Sequence, residues 1–308
     1  MSSAHLGMAS ILLTQTGAGI LGNSALLCLY NFVLFTRHQV RATDLILNQL
    51  VLANSTVLFS RGIMQTMAAF GWKYFLDDAG CKVVFYLHRV GRGVSLSTTC
   101  LLSVFQATKL CSSYSQLHIT TRSPKSICFC CSLLWILHLL LNTIVPLKMT
   151  QSLNSKNMSV MRQNFGYCSA HILSSFLSRL HGVMFLSFDT LNLSLMVWAS
   201  GSMALVLHRH KRRVQHLHSS CLSPRPRREA RATRTILTLV SSFILFYSLS
   251  SILTFCFSFV NPGQWLVPTS VLVSSSFPTF SSFVLLATDS RISQFCSPCW
   301  ERKMLNFC

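Results

Sequence analysis

The sequence predicts an all-α membrane protein: a seven-transmembrane helix bundle with the N-terminus outside and the C-terminus cytoplasmic. Three observations carry that expectation, namely scarce charge, long uncharged stretches and a one-sided distribution of cations. Of 308 residues, 51% are hydrophobic and 11% are charged, against roughly 25% charged in a soluble domain. So few charges cannot coat a water-soluble fold of this size. No Asp, Glu, Lys or Arg occurs in residues 1–36, 126–147 or 235–288. An apolar run of about 20 residues at 1.5 Å each crosses the hydrocarbon core.

In order, the spans fall at about 9–35, 45–70, 82–111, 126–147, 178–207, 233–260 and 264–288. The uncharged block 235–288 is too long for one crossing and breaks at Asn261-Pro262-Gly263-Gln264, a turn sequence. The third span carries Arg89 and Arg92, and the fifth carries Asp189. Seventeen of the 26 cations lie in alternate segments: Arg37 and Arg41; Lys109, Arg122 and Lys125; nine from Arg209 to Arg234; and Arg291, Arg302 and Lys303. That asymmetry is the positive-inside signature, so the net charge of +19 needs no nucleic acid. Residues 1–36 lack a basic n-region and read as an uncleaved first helix. The loops are too short for a separate folded unit, so 1–308 reads as a single domain.

In this topology only Cys81 and Cys168 fall at the outer surface. Two thiols in an oxidising compartment imply one disulfide, with two unpaired thiols as the alternative. The Cys128, Cys130, Cys131 group and Cys296-Ser-Pro-Cys299 lack a second ligand pair at zinc spacing. No metal or cofactor is expected. Cys296, Cys299 and Cys308 sit just past the last span, where palmitoylation is chemically open. Of the sequons at Asn54, Asn157 and Asn192, only Asn157 lies in an outer loop, and it is the expected glycosylation site.

Charges inside a membrane helix are costly, so each is a functional-site hypothesis. Phe85, His88, Arg89, Arg92 and Thr99 follow the spacing of one helical face. Arg92 and Asp189 sit at similar depths of about 15 Å on different helices, which invites pairing. Arg61 in the second span has no evident partner. The cluster His88, Arg89, Arg92 and Asp189 reads as the wall of an outward-opening ligand cavity, or as a buried ion pair that fixes packing. The two readings are compatible. No His-Glu-x-x-His, Gly-rich phosphate loop or Gly-x-Ser-x-Gly occurs, so no enzyme is expected. A small transporter or channel using the intramembrane charges is the alternative from another class.

The local strings resemble the vomeronasal type 1 (pheromone) receptors, a family of G-protein-coupled receptors, over nearly the whole chain. They include Gly22-Asn23, Ser60-Arg61-Gly62-Ile63, Gln65 to Gly71, His88-Arg89-Val90-Gly91-Arg92-Gly93 and Cys100 to Ala107. Phe165 to Ser169, Met196 to Gly201, Val214 to His218 and Phe277-Pro278-Thr279-Phe280 continue the likeness. The helix-three string is the most specific. Phe105-Gln106-Ala107 stands where rhodopsin-like receptors carry Asp-Arg-Tyr, and Asn54 stands at the helix-two Asp. Met64 and Ser282 depart from the family pattern, in which Pro is usual.

The resemblance implies a multi-pass plasma-membrane receptor that binds a small, mostly apolar ligand from outside. It also implies pheromone detection and activation of a heterotrimeric G protein of the Gi/o type. Gln106, Arg209, Arg212, Arg213, Arg231 and Arg234 are the candidate G-protein-facing residues; for the basic segment, a pure topology signal is the other reading. Within receptors, a bitter-taste-like receptor is the alternative.

Overall fold

The computed structural model describes residues 3–36, 41–72, 75–111, 123–151, 163–164, 168–170, 175–216, 224–259 and 266–289. Helix α1 (Ser3–Thr36) is followed by α2 (Ala42–Val57), a π-turn (Leu58–Gly62) and α3 (Ile63–Ala69), which together make the second span. Helix α4 (Asp78–Cys111) is the third span, and α5 (Pro124–Leu141) with the short α6 (Val145–Lys148) is the fourth. Strands β1 (Met149–Gln151), β2 (Gln163–Asn164) and β3 (Cys168–Ala170) precede α7 (Ser175–His216), α8 (Pro224–Phe259) and α9 (Leu266–Thr288). Six helical segments among the described residues are long and apolar enough to cross a membrane, and α4 is the charged seventh. The all-α bundle expected from sequence is present.

Helix α4 is the hub, packing against α2, α5, α7 and α8, while α1 closes the ring between α2 and α9. Apolar association gains nothing against lipid tails, so close helix approach depends on small residues. Gly19 and Gly22 provide it. A Cβ on Gly19 would fall 2.5 Å from Thr279 Oγ1, and one on Gly22 would fall 2.6 Å from Ser282 Oγ. Toward the end bearing the basic segments, Tyr30, Leu50, Leu102, Met203 and Leu239 are fully buried and fill the bundle. Large apolar side chains such as Phe35, Leu21 and Trp198 are exposed, a surface suited to lipid rather than water.

Three local features depart from the sequence reading. The second span is not one regular helix: a π-turn interrupts it at Leu58–Gly62, just before Met64. Such single-turn π segments recur at functional sites because they re-aim side chains. The span then ends at Gly71 (φ +93), where Gly71 N donates to Ala68 O and Trp72 N to Met67 O. That pair of bonds is a Schellman stop, and the left-handed position favours glycine. Second, α7 and α8 do not stop at 207 and start at 233. They run on to His216 and back to Pro224, because Arg and Lys are good helix formers whose heads reach water. At 1.5 Å per residue both helices exceed the roughly 30 Å hydrocarbon core.

Third, the segment after α5 carries a small antiparallel sheet in the order β1-β3-β2. Its middle strand holds Cys168, which is bonded to Cys81 near the start of α4. The expected disulfide is present, and it anchors this sheet to the hub helix. Asn54 and Asn192 are buried within α2 and α7. Asn157, Cys296, Cys299, Cys308 and the turn 261–264 lie outside the described residues.

Candidate ligand-binding site

The helix-three string can be read residue by residue around α4, at about 100° per step. Gly91 faces α2, where a Cβ would lie 3.1 Å from Thr56 Cβ and 3.2 Å from the Ala53 carbonyl oxygen. Gly93 faces α5, where a Cβ would fall 2.3 Å from His138 Nδ1. The buried His138 ring occupies that space, with its Nε2 at 2.9 Å from Ser97 Oγ. The two glycines thus let α4 press against two neighbours. His88 and Arg92, one turn apart, are left to face the remaining side.

That side is a partly open cavity. Val57 of α2, Ser95 of α4, Phe243, Phe246 and Tyr247 of α8, and Val273, Phe277 and Pro278 of α9 line it. His88, Arg92, Ser250 and Ser274 add polarity to this aromatic wall. Arg92 Nη1 donates to Ser250 Oγ at 3.1 Å, and its guanidinium lies 4.6 Å from the Tyr247 ring centroid. Tyr247 in turn donates its hydroxyl proton to the Asp189 carboxylate.

Arg92 and Asp189 therefore do not form the direct ion pair expected from their depth. Tyr247 stands between them, offering a π face to the cation and an O–H to the anion. Nor do the expected site residues share one face. His88 and Arg92 line the cavity, whereas Arg89 turns to α7 and stacks 4.8 Å over the Phe185 ring. Asp189 is behind the wall. Arg61, expected without a partner, has its Nη1 at 3.5 Å from His88 Nε2 and its guanidinium 5.9 Å from the Phe85 centroid.

One step toward the basic end, the polarity is uncharged, and its amide donors are matched. Ser95 Oγ donates to Asn54 Oδ1 at 2.8 Å, and Asn54 Nδ2 donates to Ser281 Oγ at 3.0 Å. Asn23 Nδ2 donates to the Gly19 and Pro278 carbonyls at 2.8 and 3.0 Å. Ser95 belongs both to this layer and to the cavity lining, so the two are contiguous.

The sequence model of the vomeronasal organ pheromone receptor family matches residues 6–298. The chain belongs to that family. It is 58% identical over 295 residues to the gorilla protein named vomeronasal type-1 receptor 1, covering 95% of this chain and 83% of that relative. It is 45% identical over 305 residues to human vomeronasal type-1 receptor 4, covering 98% of this chain and 100% of the relative. A zebrafish protein named olfactory receptor class A-like protein 1 is 29% identical over 283 residues, covering 91% and 88%. Membership in the vomeronasal family and the apolar spans make the chain a multi-pass plasma-membrane protein of a receptor family.

At the other end of this vomeronasal-family bundle, Arg209, Arg212 and Arg234 are exposed on the prolonged α7 and α8, and Arg213 and Arg231 lie on the same two helices. Gln106 is buried and presents no surface for a partner in this conformation. Tyr247, Ser250, Phe243 and His138 were not singled out by the sequence, and Phe277 only as part of a family string. The first three recur at i, i+4, i+7 on α8. That spacing marks a helix face, but inside an uncharged span nothing distinguished it from ordinary packing.

Proposed function

We propose that this vomeronasal-family chain is a pheromone receptor that binds a small, mostly apolar molecule in the His88–Arg92–Tyr247 cavity. Binding there drives a heterotrimeric G protein of the Gi/o type at the basic end. The observation that carries the reading is the cavity itself. It joins an aromatic wall to a few convergent polar groups at a helix-bundle crossing, the usual make-up of a small-molecule site. In this reading the disulfide end faces outward, Asn157 is glycosylated, and 1–308 works as one domain. The exposed Arg209, Arg212 and Arg234, with Arg213 and Arg231, flank the G-protein surface.

Activation is a shift of population. A ligand moves the bundle only by its differential affinity, and going from 1:99 to 99:1 takes about 5.5 kcal/mol. Gln106, buried in this conformation, becomes accessible to the G protein only when the basic ends of α4, α7 and α8 part.

The test is a ligand screen in transfected cells that reads inhibition of stimulated cyclic AMP. Expected is a ligand-dependent fall that needs Gi/o and is accompanied by no current or uptake. A current or uptake without the cyclic AMP response would place the chain with channels or transporters instead. Orientation is checked separately. Asn157→Gln should abolish the glycosidase-sensitive mobility shift; a shift that survives would mean that the topology is wrong, and no shift in the unsubstituted protein would reverse the assignment of faces.

A further inference from the structure

The cavity's polar corner has a consistent donor–acceptor polarity that the proposed function does not specify. A guanidinium has five N–H donors and no acceptor. Arg61 therefore meets His88 Nε2 as a donor, and that nitrogen presents its lone pair. With Nε2 accepting, the ring proton of the neutral imidazole resides on Nδ1. His88 is 97% buried (relative exposure 3%) and lines the cavity, and its Nδ1 has no hydrogen-bond partner among the described residues. Beside it, Arg92 uses one N–H on Ser250.

The hydroxyl protons nearby are committed elsewhere, that of Ser95 to Asn54 and that of Ser274 to the Val271 carbonyl. Of the groups left to address an occupant, the unmet one is a donor, His88 Nδ1–H beside the Arg92 guanidinium, while the Ser95 and Ser274 oxygens keep only lone pairs. A buried donor without a partner is costly, so an occupant that accepts a hydrogen bond is favoured over one that cannot.

Resting on the proposed cavity, we infer that the receptor selects apolar molecules bearing one oxygen acceptor, such as a carbonyl, held by His88 Nδ1–H and Arg92. Arg61 is a positioning residue that sets the His88 tautomer and does not itself touch the ligand. The aromatic wall of Phe243 and Phe277 takes the hydrocarbon body. Amines are rejected, because an ammonium brings donors and positive charge to a corner already made of both.

The experiment uses the purified full chain in detergent and three six-membered-ring probes of similar size: cyclohexanone, methylenecyclohexane and cyclohexylamine. Ligand binding to the folded state raises the melting temperature, with the logarithm of concentration over Kd. Cyclohexanone is expected to bind at least about tenfold more tightly than methylenecyclohexane, because the hydrocarbon leaves the site's donors unmet. Cyclohexylamine should give no shift.

His88→Phe and Arg92→Met should remove the ketone preference while retaining hydrocarbon binding. Arg61→Leu should remove it too, and Arg61→Lys, which still donates, should keep it. The 15N signal of the His88 ring should place the proton on Nδ1 in the unsubstituted protein and lose that preference in Arg61→Leu. Equal binding of ketone and hydrocarbon, or a preference that survives His88→Phe and Arg92→Met, would overturn the acceptor assignment and leave the cavity standing. No shift with any probe, or shifts that persist after Ser274→Trp fills the cavity, would overturn the cavity itself.

Discussion

Two polar regions lie side by side in this bundle, and they are built in opposite ways. The seam joining α1, α2 and α9 uses Gly19, Gly22, Asn23, Asn54 and Ser281, all uncharged, and its amide donors are matched within the protein. The cluster joining the second span, α4, α7 and α8 uses Arg61, His88, Arg89, Arg92 and Asp189, which meet rings, a hydroxyl and an imidazole. A network of small residues with matched donors fixes how helices meet. A cluster that keeps donors toward a cavity holds back interactions that an occupant can complete. Low dielectric raises the stakes in both, since an unmatched polar group is costly there.

The largest expected effect breaks the disulfide at the start of α4, the helix that carries most of the second region. Removing the bond between Cys81 and Cys168 should cost about 2–5 kcal/mol, the range for native disulfides. Cys81→Ser and Cys168→Ser should lower surface delivery equally, and the double variant should be no worse than either. Additive losses in surface labelling would contradict the shared bond.

Next, Tyr247→Phe separates the bridge from the ring. It removes the hydroxyl bonded to Asp189 and keeps the face beneath Arg92, with an expected loss of about 1–3 kcal/mol from the unmatched carboxylate. Asp189→Asn and Tyr247→Phe should be non-additive in thermal stability. The charge swap Arg92→Asp with Asp189→Arg should give no rescue, because the two groups do not meet.

Gly22→Ala probes the seam. Overpacking of this kind costs about 1–3 kcal/mol, and Ser282→Ala should restore part of it by removing the Oγ in the way. Thermal stability and surface level should fall while ligand potency at the receptors that arrive stays unchanged. The smallest effect is at Lys82–Asp78, an exposed ion pair four residues apart on α4. Lys82→Gln should change stability by less than about 0.5 kcal/mol, since solvent screens such pairs.

The bundle was legible because its cause is repetitive: an apolar run of spanning length needs no partner to be recognised. Helix ends were less so. Basic residues at 208–216 and 224–232 look like a loop by hydropathy, yet they continue α7 and α8 because hydropathy reports the solvent rather than the backbone. The π-turn at Leu58–Gly62 has no pattern of its own, only Gly62 placed where a Cβ would lie 3.0 Å from Thr16 Cγ2.

In the site, charge rarity marked His88, Arg89, Arg92 and Asp189, and two of the four line the cavity. Which two depends on a rotation of 100° per residue that spacing alone left ambiguous, because Arg89 and Arg92 are both within about one turn of His88. Tyr247 could not be singled out. Its role as the bridge comes from three helices meeting, which no local string encodes.

The account rests on the cavity between α4, α8 and α9 being where ligand acts. The direct measurement is potency in the cyclic AMP assay, for every active compound of a volatile library, compared between the unsubstituted receptor and Ser274→Trp at matched surface level. The account expects responses to be lost or shifted by at least about tenfold, the scale on which pocket contacts discriminate. Full potency in the filled variant would contradict it and move ligand recognition elsewhere on the bundle.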